Sequence, residues 1–325
     1  LRICSLVPSV TETVCALGLT DELVGVSHEC DYPEFVKSKP KLTKSAISSE
    51  GVTSAQIDAQ VRESFQKGKG IYELDFEMLK SLEPDIIFTQ KLCQVCAVSY
   101  GEVYTAASKL SKQPKVISID TFTLQDILSS IVDVGRSCNE LDKARKCRLL
   151  LESRIAKVRQ EVEKIEKRTL SSKRKKKKVF FLEWTDPIMC SGHWVPELIE
   201  IAGGEDGLGQ PGRDSIRVDW GQVRDYSPDY LIVAPCGFDV QRAERETKLL
   251  SRLEGWYDLP AVNRGNVYAA DGSAYFSRPG PRIVDGLEIL AMILHPEIEE
   301  YRSKYDEKDF RQVNFKDQVM IPSQH

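Results

Sequence analysis

The chain has no run of about 18 consecutive apolar residues, so nothing in it reads as a membrane-spanning helix. It has no excess of positive charge: 45 Lys and Arg against 49 Asp and Glu leave a net charge of −4. That balance argues against nucleic acid or an anionic membrane as a general partner, and no nucleic-acid partner is expected. It has no G-x-S-x-G elbow, no phosphate-binding Walker loop and no dinucleotide glycine fingerprint, which removes the commonest short signatures of catalysis. No leader is visible: the chain opens directly on the apolar stretch Ile3–Val7, with Leu rather than Met at position 1. Histidine is scarce, at four, whereas cysteine, at nine, is not. An odd and large thiol count on a chain of 325 residues does not suit a secreted disulfide framework. A thiol-rich chain of this size suits a reducing compartment better, and a cytoplasmic protein is expected.

What is present is ordinary globular material, 41% hydrophobic and 29% charged, and long enough for two domains. Ile3 to Val7 reads as a strand ended by Pro8. Ser9 and Glu12 have capping-box spacing at the start of a helix that stops at Gly18. Leu23 to Ser27 reads as a second strand. Apolar strands alternating with helices predict a parallel sheet covered on both faces.

The most informative feature is an internal duplication. Leu82-Glu-Pro84-Asp85, leading into an apolar strand, recurs as Tyr226-Ser-Pro228-Asp229 leading into another. Lys115–Asp120 is echoed by Asn266–Asp271, and the opening strand Arg2–Val7 by Val179–Trp184. Each opening strand runs into a helix that ends in small residues, Ala16-Leu-Gly18 and Ala202-Gly-Gly204. Three landmarks in the same order predict an α/β protein of two Rossmann-like lobes with parallel sheets, joined by a long inter-lobe α-helix.

That helix is expected from Asn139, as its cap, to about Arg168. Leu141, Ala144, Leu151, Ile155, Val158, Val162 and Ile165 recur at helical spacing among Lys, Arg and Glu, giving one apolar stripe. It would span about 45 Å and act as a stiff brace. The expected boundaries are a first lobe over 1–138, the inter-lobe helix over 139–170, a basic loop over 171–178, a second lobe over 179–297 and a charged tail over 298–325. The loop's Lys/Arg run, Lys173 to Lys178, has the composition of a nuclear-import patch, but six like charges more often make a solvated loop.

In open parallel sheets ligands bind beyond the carboxyl ends of the strands. His28, Glu29 and Cys30 follow one predicted strand, and Cys93 and Cys96 another. Asp186, Cys190, His193 and Trp194 follow Trp184; Cys236 follows a further strand, and Tyr275, Phe276, Arg278 and Arg282 the last. Thiolates and imidazoles gathered on such loops suggest a metal, and His28, Cys30, Cys93, Cys96 and Cys236 are the candidate ligands, for zinc or iron. Cysteines packed under loops are the plainer alternative, and a redox pair at Cys93 and Cys96 a weaker one. Trp184, Trp194, Tyr275 and Phe276 offer flat contact surface for a planar guest, although Trp184 and Phe276 also suit a core. Arg278 can grip a carboxylate bidentately. Ser9, at a helix start, can meet an anion or simply cap.

These residues resemble a known family. SLVPSVTETVCALGL, SHECDYP, PDIIFTQ with CQVCAVS, GHWVPELIEIAGGEDGLG, VAPCGFD and DGSAYFSRPGPRIVDGLEIL are similar to the cobalamin-type branch of the periplasmic-binding-protein family, the class with a helical backbone between its lobes. The resemblance runs to about Pro296. It implies a ligand held in an inter-lobe cleft; with the strand-end reading of Ser9, His28, Glu29, Trp184, His193, Trp194, Tyr275, Phe276 and Arg278 as contacts, the expected guest is a bulky metal chelate, cobalamin or a related corrinoid. It implies a monomeric binding protein rather than a catalyst, with an ABC-transporter-type membrane partner if the chain is exported. The competing expectation is a metal-dependent enzyme or metal-binding protein that uses the Cys/His set.

Overall fold

Parallel pairing around each opening strand organises the chain. The computed structural model describes residues 1–49, 51–91, 97–169 and 176–315. The chain divides into two units, one of residues 1–152 with Pro279–Pro281, the other of residues 153–278 and 282–325.

Unit 1 runs β1 (Ile3–Ser5), α1 (Pro8–Ala16), β2 (Leu23–Val26), β3 (Thr43–Ser45), α2 (Ser54–Gln66), β4 (Tyr72–Leu74), α3 (Phe76–Ser81), β5 (Ile86–Thr89), α4 (Tyr100–Ser108), β6 (Lys115–Ser118) and α5 (Leu124–Ser137). Its main sheet is parallel, in the order β2-β1-β5-β6, and β3 pairs antiparallel with β4. Ile3, Cys4, Ile87 and Phe88 are completely buried, as the apolar strands required. The division between the units falls within α6 (Leu141–Thr169).

Unit 2 contains β7 (Lys177–Thr185), β8 (Ile188–Cys190), β9 (Gly192–His193), α7 (Val195–Ile201), β10 (Gly204–Glu205), β11 (Gln210–Pro211), α8 (Trp220–Tyr226), β12 (Tyr230–Val233), α9 (Val240–Leu250), α10 (Pro260–Asn263), β13 (Val267–Ala270), α11 (Gly272–Tyr275), α12 (Ile283–Leu294) and β14 (Phe310–Gln312). The sheet order is β10-β7-β12-β13-β14, with β8 antiparallel to β7. The parallel part, β10-β7-β12-β13, has the topology of β2-β1-β5-β6. The duplication read from the sequence is therefore a duplication of topology.

The structure also explains why the Pro-Asp landmark recurs. The Asp85 carboxylate accepts the backbone N–H of Arg2 at 2.7 Å, just ahead of β1, and pairs with Lys112 at 2.6 Å. Asp229 accepts the N–H of Lys178 at 3.1 Å, in the first turn of β7, and pairs with Arg264. In both copies an aspartate at the start of one strand satisfies an amide at the start of its neighbour and takes a cation from the following strand's approach. The small residues that end α1 and α7 match too, since Gly18 and Gly203 both stand at positive φ (74° and 83°), where a side chain is strained.

Four local expectations change. Helix α1 begins at Pro8 with Val7 as its cap and no side-chain cap. Proline has no N–H to leave unpaired and a fixed φ suited to the first helical position, so Ser9 lies inside the first turn. Asn139 does not cap α6; at φ 62° it closes off α5, and the long helix starts at Leu141. Lys177 and Lys178, expected in the basic loop, belong to β7, where Lys178 Nζ donates to the Tyr226 carbonyl at 2.9 Å. The rest of that run lies outside the described residues except Lys176. Finally, the expected tail supplies β14, antiparallel to β13, and Val313 and Phe315 join the unit 2 core around Trp256.

The stripe on α6 is as read: Ala144, Leu151, Ile155, Val158 and Val162 are buried. Within unit 2, Arg154 of α6 donates to Asp285 at 2.6 Å and Glu288 at 2.8 Å on α12. Lys304 and Tyr305 donate to the same two carboxylates.

Candidate functional site

The carboxyl ends of the unit 2 strands carry most of the residues singled out. Trp184, near the end of β7, is half-buried, and its ring lies 5.1 Å from that of Phe238 in the loop after β12. The Arg242 guanidinium, on α9, sits 3.7 Å over the Phe238 ring, which is buried and tilted 51° to the Trp184 indole. Burial lowers the pKa of Arg242. Cys236, at the head of this loop, is exposed. The loop after β13 is tied to it: Ser273 donates its N–H to the Phe238 carbonyl at 3.2 Å, and Gly272 presses on the carbonyls of Ala234 and Pro235 so closely that a Cβ has no room.

The same loop organises its own charges. Asp271 caps α11 by accepting the Ala274 N–H at 2.7 Å. Burial pushes its pKa up to about 6, against that hydrogen bond and the nearby Arg278 and Arg282. Arg278 is buried and donates to Ser273 Oγ at 3.1 Å. Tyr275 donates to Asp309 at 2.5 Å, and burial and that carboxylate raise its pKa.

Two residues of the expected set are core instead. Phe276 is 2% exposed and packs edge-on against Phe181 at 5.0 Å. Trp194 is buried, with its indole N–H donated to the Phe276 carbonyl at 2.9 Å. Phe276 is the C-cap of α11 and turns inward, while Tyr275, the last residue of that helix, stays half-buried. His193, on β9, holds φ 50° and places Nε2 3.0 Å from Asp214.

Beneath these loops are two acids that no sequence pattern singles out. Glu183, in β7, accepts the Gly192 N–H at 2.8 Å. Asp206 accepts the Ser191 hydroxyl at 2.7 Å and the N–H groups of Leu208 and Gly209. Burial drives Glu183 up to about 7, opposed by Gly192 and Ser215 and aided by Cys236 and Asp206. Burial likewise drives Asp206 up to about 6.

In unit 1 the loop after β2 is held at several points. His28 Nδ1 lies 2.7 Å from Thr43 Oγ1, and the His28 ring is 5.1 Å from that of Tyr72. Nε2 of His28 lies 3.3 Å from Glu29. Cys30 is buried with its thiol 3.1 Å from Thr11 Oγ1, which makes it a packing residue here. Ser9 is buried, and its carbonyl accepts the Thr13 hydroxyl.

Among the described residues no group of three or more His, Cys, Asp or Glu is placed to hold a metal ion. Cys93 and Cys96 lie outside the described residues. His28, Cys30 and Cys236 therefore do not form a metal centre by themselves, and the described residues give the metal-enzyme expectation no ligand set. Among them, too, no helix is long and apolar enough to cross a membrane.

With this geometry in place, comparison with known proteins becomes decisive for the family. The periplasmic binding protein model matches residues 3–274. The chain belongs to the periplasmic binding protein family. A curated relative, the uncharacterized ABC transporter substrate-binding lipoprotein YvrC of Bacillus subtilis (strain 168), is 24% identical over 305 residues, covering 91% of this chain and 80% of its own. Among solved structures, a periplasmic heme binding protein from Pseudomonas aeruginosa superposes with a TM-score of 0.69 at 17% identity, over 91% of this chain and 92% of that one. The periplasmic vitamin B12 binding protein BtuF of Vibrio cholerae gives 0.63 at 19% identity, over 92% and 98%.

The expectation of a cytoplasmic protein is overturned. The family is one of periplasmic proteins and the curated relative is a lipoprotein, both extracytoplasmic. The thiol count misled because, among the described residues, cysteine is mostly a small packing residue rather than a disulfide or reactive thiol. Burial pushes the thiols of Cys4 and Cys138 up to about 12 and about 11, where they are unreactive in any compartment.

Proposed function

We propose that this protein is the solute-binding component of an ABC-type uptake system and that its solute is a metal chelate of the corrinoid or porphyrin class. The observation that carries the reading is the aromatic cluster at the carboxyl end of the unit 2 sheet, where the half-buried Trp184 of β7 leans on the buried Phe238 ring and Arg242 of α9 covers that ring. Flat rings and a guanidinium suit a planar macrocycle better than a small polar solute. The heme and vitamin B12 binding proteins of matching fold support the same class of guest. Trp184, His193, Tyr275 and Arg278 of unit 2 are the proposed contacts. Phe276 and Trp194, both buried, position the unit 2 loops from behind. The partners are then one small molecule and a membrane transporter.

A thermal-shift panel tests this. A ligand present at 100 times its Kd stabilises the folded state by about 2.7 kcal/mol. Haemin, cobalamin or cobinamide is expected to raise Tm by several degrees, and Trp184→Ala to weaken that response about tenfold in concentration. Equal responses to zinc or iron salts alone, with none to any chelate, would reject the proposal.

A further inference from the structure

We infer that Asp309 is a positioning residue of the ligand site: it sets the loop after β13, and so makes residues 306–315 part of the binding apparatus. The inference rests on the chelate-binding reading, which makes Tyr275 and Arg278 contacts of the guest. Its ground is that one residue holds α11 at both ends. At the start of that four-residue helix the Asp309 carbonyl accepts the N–H of Asp271 at 3.0 Å, and Asp271 is the residue whose side chain caps α11. At the far end Asp309 Oδ1 accepts the Tyr275 hydroxyl at 2.5 Å. Arg278 is tied in as well, because its guanidinium donates to Ser273 Oγ, inside the same helix, at 3.1 Å. A shift of Asp309 therefore displaces both proposed contacts at once.

Asp309 is itself firmly placed. Its second carboxylate oxygen accepts the N–H of Asp306 at 2.8 Å, and its own N–H goes to the Asp306 carbonyl at 3.0 Å. This turn leads straight into β14, where Phe310 and Arg311 pair with Ala270 and Ala269 of β13. Further along, Arg311 donates to Glu244 of α9 at 3.1 Å, and Val313 and Phe315 enter the unit 2 core. Ahead of the turn, Tyr305 donates to Asp285 and Glu288 of α12, and its ring meets that of Tyr275 edge-on at 6.4 Å. The grip on α11 thus comes from a segment anchored to the sheet and to two helices.

Such a grip matters because α11 is too short to hold its own shape. A single turn fixes several backbone dihedrals for very few internal hydrogen bonds, so ordering it from within is unfavourable. With Asp309 in place that cost is met before a guest arrives, and Tyr275 and Arg278 stand ready. Without the Asp309 side chain the guest must order the loop as it binds, and affinity falls although no contact atom of the site has been removed. The Asp309 carbonyl and β14 remain in such a variant, so the fold is retained while the far end of α11 is released.

Absorbance titration of the full chain with haemin and with diaquocobinamide tests this, at a temperature well below the Tm of every variant. Asp309→Ala is expected to weaken binding of the chelate that the wild type takes by about tenfold. Tyr275→Phe should weaken it too, and the double variant by little more than the weaker-binding single one, because both changes break the same hydrogen bond. Asp309→Asn keeps an acceptor oxygen for the Tyr275 hydroxyl and should bind more tightly than Asp309→Ala. Unchanged affinity in Asp309→Ala, or losses that multiply in full in the double variant, would overturn the inference and leave the binding reading standing. If neither chelate changes the spectrum or Tm of the wild type, the binding reading itself falls and takes this inference with it.

Discussion

Replacing Glu183 by Gln should stabilise the protein at pH 8 and do so far less at pH 5. Glu183 sits at the end of β7 with the Gly192 amide and Ser215 on its carboxyl and with Asp206 and Cys236 nearby. Its pKa is raised from 4.5 to about 7, burial being the main cause. The folded protein therefore keeps a proton that the unfolded chain has already released. The stability tied to that proton is whole below about pH 4.5 and is lost as pH rises to about 7. At about 1.4 kcal/mol per pH unit the loss reaches about 3 kcal/mol above pH 7. The glutamine side chain of the variant carries no charge to bury and can still accept the Gly192 N–H, so the variant escapes that loss. At roughly 2 °C per kcal/mol for a chain of this size, Tm at pH 8 should rise by about 6 °C. The assay is thermal unfolding of both proteins from pH 5 to pH 8. His295, whose pKa burial lowers to about 4, costs stability as pH falls from 6.5, but it does so equally in both proteins. A Tm difference that is the same at pH 5 and pH 8, or a variant less stable at pH 8, would refute the reasoning.

Other consequences are as direct. Arg154→Met leaves Asp285 and Glu288 with only Lys304 and Tyr305, and should cost about 3–5 kcal/mol in denaturant unfolding. A loss under about 1 kcal/mol would show that the network is not the tie its geometry implies. Gly272→Ala puts a Cβ into the Pro235 and Ala234 carbonyls. It should cost about 1–3 kcal/mol, read as a fall in Tm, and an unchanged Tm would mean the two loops part freely. Asp85→Asn and Asp229→Asn remove the same charged acceptor from the same place in each copy, and each should cost about 1–2 kcal/mol by chemical denaturation. A large cost in one unit and none in the other would break the parallel between the landmarks.

The topology was legible because its signals are local and repeated. Pro84-Asp85 and Pro228-Asp229 mark strand starts, since an aspartate there satisfies a neighbouring strand's amide. The α6 stripe shows because a buried helix face repeats along the chain. Of the proposed contacts the strand-end rule reaches Trp184 and Arg278. Nothing in the sequence pairs His28 with Thr43, fifteen residues on, because that contact depends on where β3 lies. Glu183 hides in an apolar strand, where periodicity cannot tell a buried acid from a solvent-facing one. Tyr275 and Phe276 are adjacent aromatics whose roles part only when the backbone turns one of them inward. Ser9 has the spacing of a cap, but the proline before it prefers the first helical position and so moves the helix start two residues earlier.

The most direct measurement is equilibrium dialysis of the purified chain against diaquocobinamide and haemin, with protein and chelate quantified separately on each side of the membrane. One equivalent of chelate retained per chain, released in competition by excess of the other, is the predicted result. Retention that never saturates, or that persists after the protein is heat-denatured, would contradict a specific chelate-binding protein.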